Sequence, residues 1–184
     1  MLLGQLVEII PSFHWTSGTA HAPSRVLKLS RQSDTKWEIV EDGGKDYSGY
    51  PFATMEGDIV ISHRASIGEY LIVGPDEIGA VAPRGFAILR SRDLASSNQD
   101  WIAAWLQTER FKQQVKSREH SSTLPALSLA DLESLEIPQP DADSLKRLKE
   151  IELYLLAAEK VVSQTLVNLQ KLRQIETEIL FTDR

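Results

Sequence analysis

Short apolar-rich runs punctuated by turn residues fill residues 1–118, whereas residues 144–181 carry an unbroken aliphatic stripe at helical spacing. RVLKLS (25–30), KWEIVE (36–41), DIVIS (58–62), YLIVG (70–74) and GFAILR (85–90) are rich in β-branched or aromatic residues. EDGGKD, GPDEIG and the Gly57–Asp58 pair separate them as turn signals. No helix-length segment lies between successive runs, so they predict an antiparallel or mixed sheet of the α+β class. Two helices flank it. In NQDWIAAWLQTERFKQQVKSR (98–118), Trp101, Ala104, Trp105 and Phe111 fall near one face. In LSLADLESL (127–135), Ser128 and Asp131 have the spacing of a capping box. The start, MLLGQLVEIIPSF, has no basic leader and carries Glu8 early; it reads as a folded strand or helix.

The stretch SSTLPALSLADLESLEIPQP (121–140) joins the two regimes. Its leucines and Ile137 predict a strap packed into the domain, and Pro138 and Pro140 end the local structure. Beyond them Leu148, Ile151, Leu155, Ala158, Val162, Leu166, Leu169, Leu172, Ile175 and Ile179 recur in steps of three and four, with no Gly or Pro between 144 and 181. That is the seam of a long helix, on the order of 55 Å, which needs a second helix to cover it. Thr165 and Asn168 interrupt the seam near its middle, where a polar residue sets register or orientation. The division expected is a domain over 1–138 and a helix over 143–182. The competing arrangement folds the helix back along its own domain.

Composition narrows the class. Hydrophobic residues at 42% and charged residues at 25% indicate a folded chain, and no run of about 18 apolar residues predicts a membrane span. The chain has no cysteine, which removes disulfides, thiol catalysis and zinc–thiolate sites and makes a reducing cytoplasm the expected setting. The net charge of −6 is uneven: residues 12–118 hold thirteen Lys/Arg against thirteen Asp/Glu, and residues 119–184 hold seven against twelve. The strand-rich part is therefore neutral and free to gather its cations on one face.

The order of motifs resembles half of a type I restriction–modification specificity subunit. GDIVISHRASIGEYLIV (57–73), GAVAPRGFAILRSRD (79–93), WIAAWLQTERFKQQV (101–115), SSTLPALSLADLESLEIPQP and the long helix follow one another as in that family. The resemblance spans roughly 57–181 and implies a domain that reads one part of a split DNA site. It also implies a helix that pairs antiparallel, spaces two readers and docks methyltransferase subunits. With one domain and one helix, the chain is expected to pair with its own copy, which favours an inverted-repeat target, or to be a standalone relative. Ala65 stands where the family turn has glycine, and PDADSLKRL replaces the usual glutamine-bearing segment ahead of the helix.

Catalytic signatures are missing. His14, His21, His63 and His120 form no HExxH or closely spaced pair, and His14 with His21 is at best a remote metal candidate. There is no phosphate loop, GxSxG, amino-methyltransferase Asn/Asp-Pro-Pro-Tyr/Phe or nuclease pattern, so no catalytic activity and no cofactor are expected. A DNA reader needs cations for phosphates and donors for base edges. His14 and Arg25 bracket the loop 14–25; His63 and Arg64 follow a strand; Arg84 precedes Gly85; Lys112, Lys116 and Arg118 sit on a helix. Arg64 suits a forked contact with guanine or, alternatively, an ion pair with Glu69. Trp37, Phe86, Trp101 and Trp105 are expected in the core. The reading is a cytoplasmic, non-catalytic specificity subunit that binds double-stranded DNA and methyltransferase subunits as a homodimer, with no membrane contact. The rival is an assembly subunit that uses the helix without DNA; a small hydrolase is a weaker third.

Overall fold

A computed structural model describes residues 1–14, 22–30, 36–41, 44–92, 98–118 and 125–182. His21, His120 and Leu124, and most of the loop 14–25, lie outside the described residues. The chain divides into two compact units, Met1–Gln139 and Pro140–Arg184.

In the first unit a short helix α1 (Leu3–Leu6) leads into β1 (Val7–Pro11). There follow β2 (Arg25–Ser30), β3 (Lys36–Glu41), β4 (Ile59–Ser62), β5 (Tyr70–Ile72) and β6 (Phe86–Ser91). The strands form a four-stranded sheet in the order β1-β6-β4-β5 and a separate hairpin β2-β3. The pairings between these strands are antiparallel, as in Val60↔Ile88 and Ile10↔Ile88. The fold is α+β, and each predicted strand appears.

β4 is buried along its whole length because both sheet faces are covered. Ile59 and Ile61 point with Ala87 and Leu89 into a core shared with Ile102, Trp105, Leu106 and Phe111 of the helices. Val60 and Ile88 point the other way, into a second core with Leu27 of the hairpin and Val73, Ala80 and Ala82. Trp37 and Phe86 lie against the second core and Trp101 against the first, so the aromatic residues assigned to the interior are there.

The single helix expected over 98–118 is two, α2 (Asn98–Leu106) and α3 (Glu109–Arg118). Thr108 makes the break: its Oγ1 donates to the Trp105 carbonyl at 2.7 Å and accepts from Phe111 N at 3.3 Å. Such a side chain offers the backbone an alternative to the helical ladder. α4 (Leu129–Glu133) is shorter than the 127–135 helix expected, but its capping box forms. Ser128 Oγ accepts from Asp131 N at 3.0 Å while Asp131 Oδ2 accepts from Ser128 N at 2.9 Å.

The strap is a core element. Leu127, Leu132, Leu135 and Ile137 are buried. Its end is stitched to the beginning of the unit: Leu3 N donates to the Leu135 carbonyl at 2.8 Å and Ile137 N to the Met1 carbonyl at 2.9 Å.

The second unit is one helix, α5 (Ala142–Thr182), of 41 residues. Asp141 caps it, accepting from Ser144 N and from Ser144 Oγ, each at 2.8 Å. These two bonds favour the charged form and hold the Asp141 carboxyl below its ordinary value. Among the described residues no helix is long and apolar enough to cross a membrane.

Candidate nucleic-acid interface

Strand order brings distant residues to one end of the sheet. β1 and β4 both run antiparallel to β6, which lies between them. The residues following β1, those following β4 and those preceding β6 therefore share an edge. These are Ser12 to His14, His63 with Arg64, and Arg84 with Gly85. The strap closes this edge: Leu127 N donates to the His63 carbonyl at 2.9 Å, and Arg64 bridges Ala126.

The result is a cleft of about 440 Å³ lined by His14, His63, Arg64, Arg84, Ser12 and Ser128 among others, and by no acidic residue. Arg64 and Arg84 are exposed, and among the described residues neither forms an ion pair. The alternative pairing of Arg64 with Glu69 is not among them. The Arg64 stem lies over Gly85, where an added Cβ would stand 3.4 Å from it. Gly85 has φ +90°, a conformation that glycine adopts without strain.

The turn carrying Arg64 is strained at its next residue. Ala65 has φ +63°, a left-handed backbone that glycine adopts more readily than alanine. Ser66 N donates to the Arg64 carbonyl at 2.8 Å and Ala65 N to the Pro125 carbonyl at 2.8 Å, which locks the turn. A bond spanning only three residues around a positive φ marks a tight, uncommon γ-turn.

The other singled-out side chains serve the fold or stand apart. His63 is buried, its Nδ1 2.9 Å from the Leu127 carbonyl, so it fastens the strap. Arg25 donates to the carbonyls of Ile78 at 2.5 Å and Asp76 at 2.7 Å, pinning that turn. Arg118 donates to the carbonyls of Gln114 at 3.2 Å and Ser134 at 3.4 Å, tying α3 to α4. Lys112 pairs with Glu109 at 2.6 Å. Lys116 is exposed on the same helix, and none of Lys112, Lys116 and Arg118 lines the cleft. Among the described residues no three His, Asp or Glu side chains assemble a metal site.

An aromatic group borders the cleft, one that no motif in the sequence marks. Phe13 stacks on Phe52 at 4.5 Å and 5°, and Tyr47 and Tyr50 join them edge-on or tilted. Lys45 Nζ lies 5.1 Å and 5.3 Å above the Tyr47 and Tyr50 rings and donates to the Tyr50 hydroxyl at 3.2 Å. That hydroxyl raises the Lys45 pKa above its ordinary value. Residue 13 and residues 45–52 are far apart in sequence, so no local spacing announces the group.

On α5, Ile151, Leu155, Val162, Leu166, Leu169 and Leu172 are all more than half exposed in the single chain, and Leu148 is partly exposed. Of Ile179 only the helical backbone falls within the described part. Leu153 and Leu156, off the seam, are exposed as well.

No protein-family model and no curated protein matches the sequence. Solved structures do. The S subunit of the type I restriction–modification system from M. genitalium superposes with a TM-score of 0.57 at 11% identity, over 89% of this chain and 40% of that one. A chain from work on complex assembly and conformational transition of the type I R-M system gives 0.57 at 20% identity, over 94% and 42%. The HsdS subunit from Thermoanaerobacter tengcongensis gives 0.54 at 19%, over 88% and 38%. The chain spans about two fifths of the length of these structures. Over that length it has the fold of type I restriction–modification S subunits.

Proposed function

We propose that this chain is a DNA-specificity subunit of a type I-like restriction–modification system, reading one half of a bipartite site and contributing no catalysis of its own. Residues 1–138 act as the target-recognition domain. Residues 143–182 act as a spacer that pairs antiparallel with a second copy and docks methyltransferase subunits.

The observation that carries the reading is the convergence of Arg64 and Arg84, both outside ion pairs among the described residues, with His14 in a cleft without acids. Arginine forks match both phosphate oxygens and the guanine edge. The S-subunit fold, matched over 88–94% of this chain, supports the same reading. Arg25 and Arg118 are held by backbone carbonyls and Lys112 is paired with Glu109, which leaves Arg64, Arg84, His14 and Lys116 as the DNA-facing set.

The test is duplex binding by the full chain across a salt series. Affinity should fall steeply with salt. Arg64→Ala with Arg84→Ala should weaken binding by about tenfold or more and flatten the slope by roughly one unit for each phosphate no longer neutralised. A chain that self-associates yet binds no duplex at low salt is an assembly subunit instead.

A further inference from the structure

A second cleft, of about 450 Å³, adjoins the arginine cleft and shares Pro11, Ser12 and His14 with it. Its remaining lining is Ile10, Phe13, Pro51 and Phe52. One cleft thus presents guanidinium groups and the next presents hydrocarbon, across a common wall.

The apolar side is held open from behind. Arg90 Nη1 donates to the Pro51 carbonyl at 2.8 Å and Nη2 to the Ala53 carbonyl at 2.7 Å, while Asp58 grips the same guanidinium. Ala53 N donates to the Tyr50 carbonyl and Tyr50 N to the Tyr47 carbonyl, each at 2.9 Å. The 47–53 segment is therefore fixed before any ligand arrives, as a recognition surface requires.

The lining favours an apolar group. Phe13 and Phe52 lie face to face at 4.5 Å, so no base can insert between the two rings. In the major groove of a duplex, the apolar group that distinguishes one base pair from another is the C5-methyl of a pyrimidine.

Resting on the DNA-recognition reading above, we propose that the Phe13–Phe52–Pro51 cleft receives the C5-methyl group of a pyrimidine and so specifies one base pair beside the phosphates or guanine held by Arg64 and Arg84. Thymine and 5-methylcytosine present the same methyl, and the experiment separates them.

Duplexes selected from a random pool by the full chain are resynthesised with deoxyuridine replacing thymine, one position at a time. In parallel, 5-methylcytosine replaces each cytosine. Removing the methyl at one position should weaken binding about fourfold, the equivalent of one buried methyl group. Phe52→Ala should bind the two duplexes alike while keeping the salt dependence. If 5-methylcytosine at one position strengthens binding instead, that base is the source of the methyl. Salt-dependent selection with indifference to every methyl overturns this inference and leaves the DNA reading intact. Selection of no duplex overturns both.

Discussion

Arg90 and Asp58 meet in a two-point ion pair within the first unit, with Nε 3.0 Å from Oδ1 and Nη2 2.7 Å from Oδ2. Their side chains are 13% and 2% exposed, so water screens the pair little. Asp58 also accepts from Met55 N at 2.8 Å, and Arg90 reaches the carbonyls of Pro51 and Ala53. Removing one member leaves the other buried and uncompensated. Arg90→Ala or Asp58→Ala should cost about 3–5 kcal/mol, read from the urea unfolding midpoint. Arg90→Lys should recover only part of this, since an ammonium cannot fork onto a carboxylate and two carbonyls. A loss below about 1 kcal/mol in both alanine variants would refute the clamp.

The Arg64 turn predicts a stabilising substitution. A left-handed backbone costs a non-glycine residue roughly 1–2 kcal/mol, against less than about 1 kcal/mol for the extra freedom of glycine in the unfolded chain. Ala65→Gly should raise stability by about 0.5–1 kcal/mol, and Ala65→Val should lower it, both measurable by thermal unfolding. A glycine variant less stable than the parent contradicts the assigned backbone.

The helix predicts self-association. Leu155→Glu with Leu169→Glu places charge within the seam, and light scattering should show the mass falling from twice 20.6 kDa to the single-chain value. Glu substitutions at the off-seam Leu153 and Leu156 should leave that mass doubled. A parent chain that stays single at high concentration removes the spacer role.

Asp141 predicts a pH response at the start of α5. Its carboxyl sits below the ordinary value because the Ser144 amide and hydroxyl bond the charged form. The cap therefore contributes fully above the ordinary carboxylate value and is lost as pH falls through the lowered one. In an NMR titration the Ser144 amide should follow Asp141, and Asp141→Ala should abolish that response. Titration at or above the ordinary value would contradict the cap.

Much of the architecture was legible because it is locally coded. RVLKLS and KWEIVE became β2 and β3 with the same bounds, since the hairpin is set by alternation and turns. The helix break is silent in the sequence because Thr108 acts through one hydroxyl within an otherwise continuous helical pattern. Of the candidate site, His14, His63, Arg64 and Arg84 do line one cleft. That Arg25 and Arg118 would be occupied by carbonyls could not be read, because Ile78 and Ser134 become neighbours only through the fold. The aromatic group was hidden for the same reason, being assembled from residue 13 and residues 47–52.

The lacing of residues 1–3 to residues 135–137 has an architectural corollary. Polypeptide enters and leaves the globule through a single doorway. A segment leaving at residue 138 therefore starts beside residue 1, on the same side of the globule, without displacing any strand.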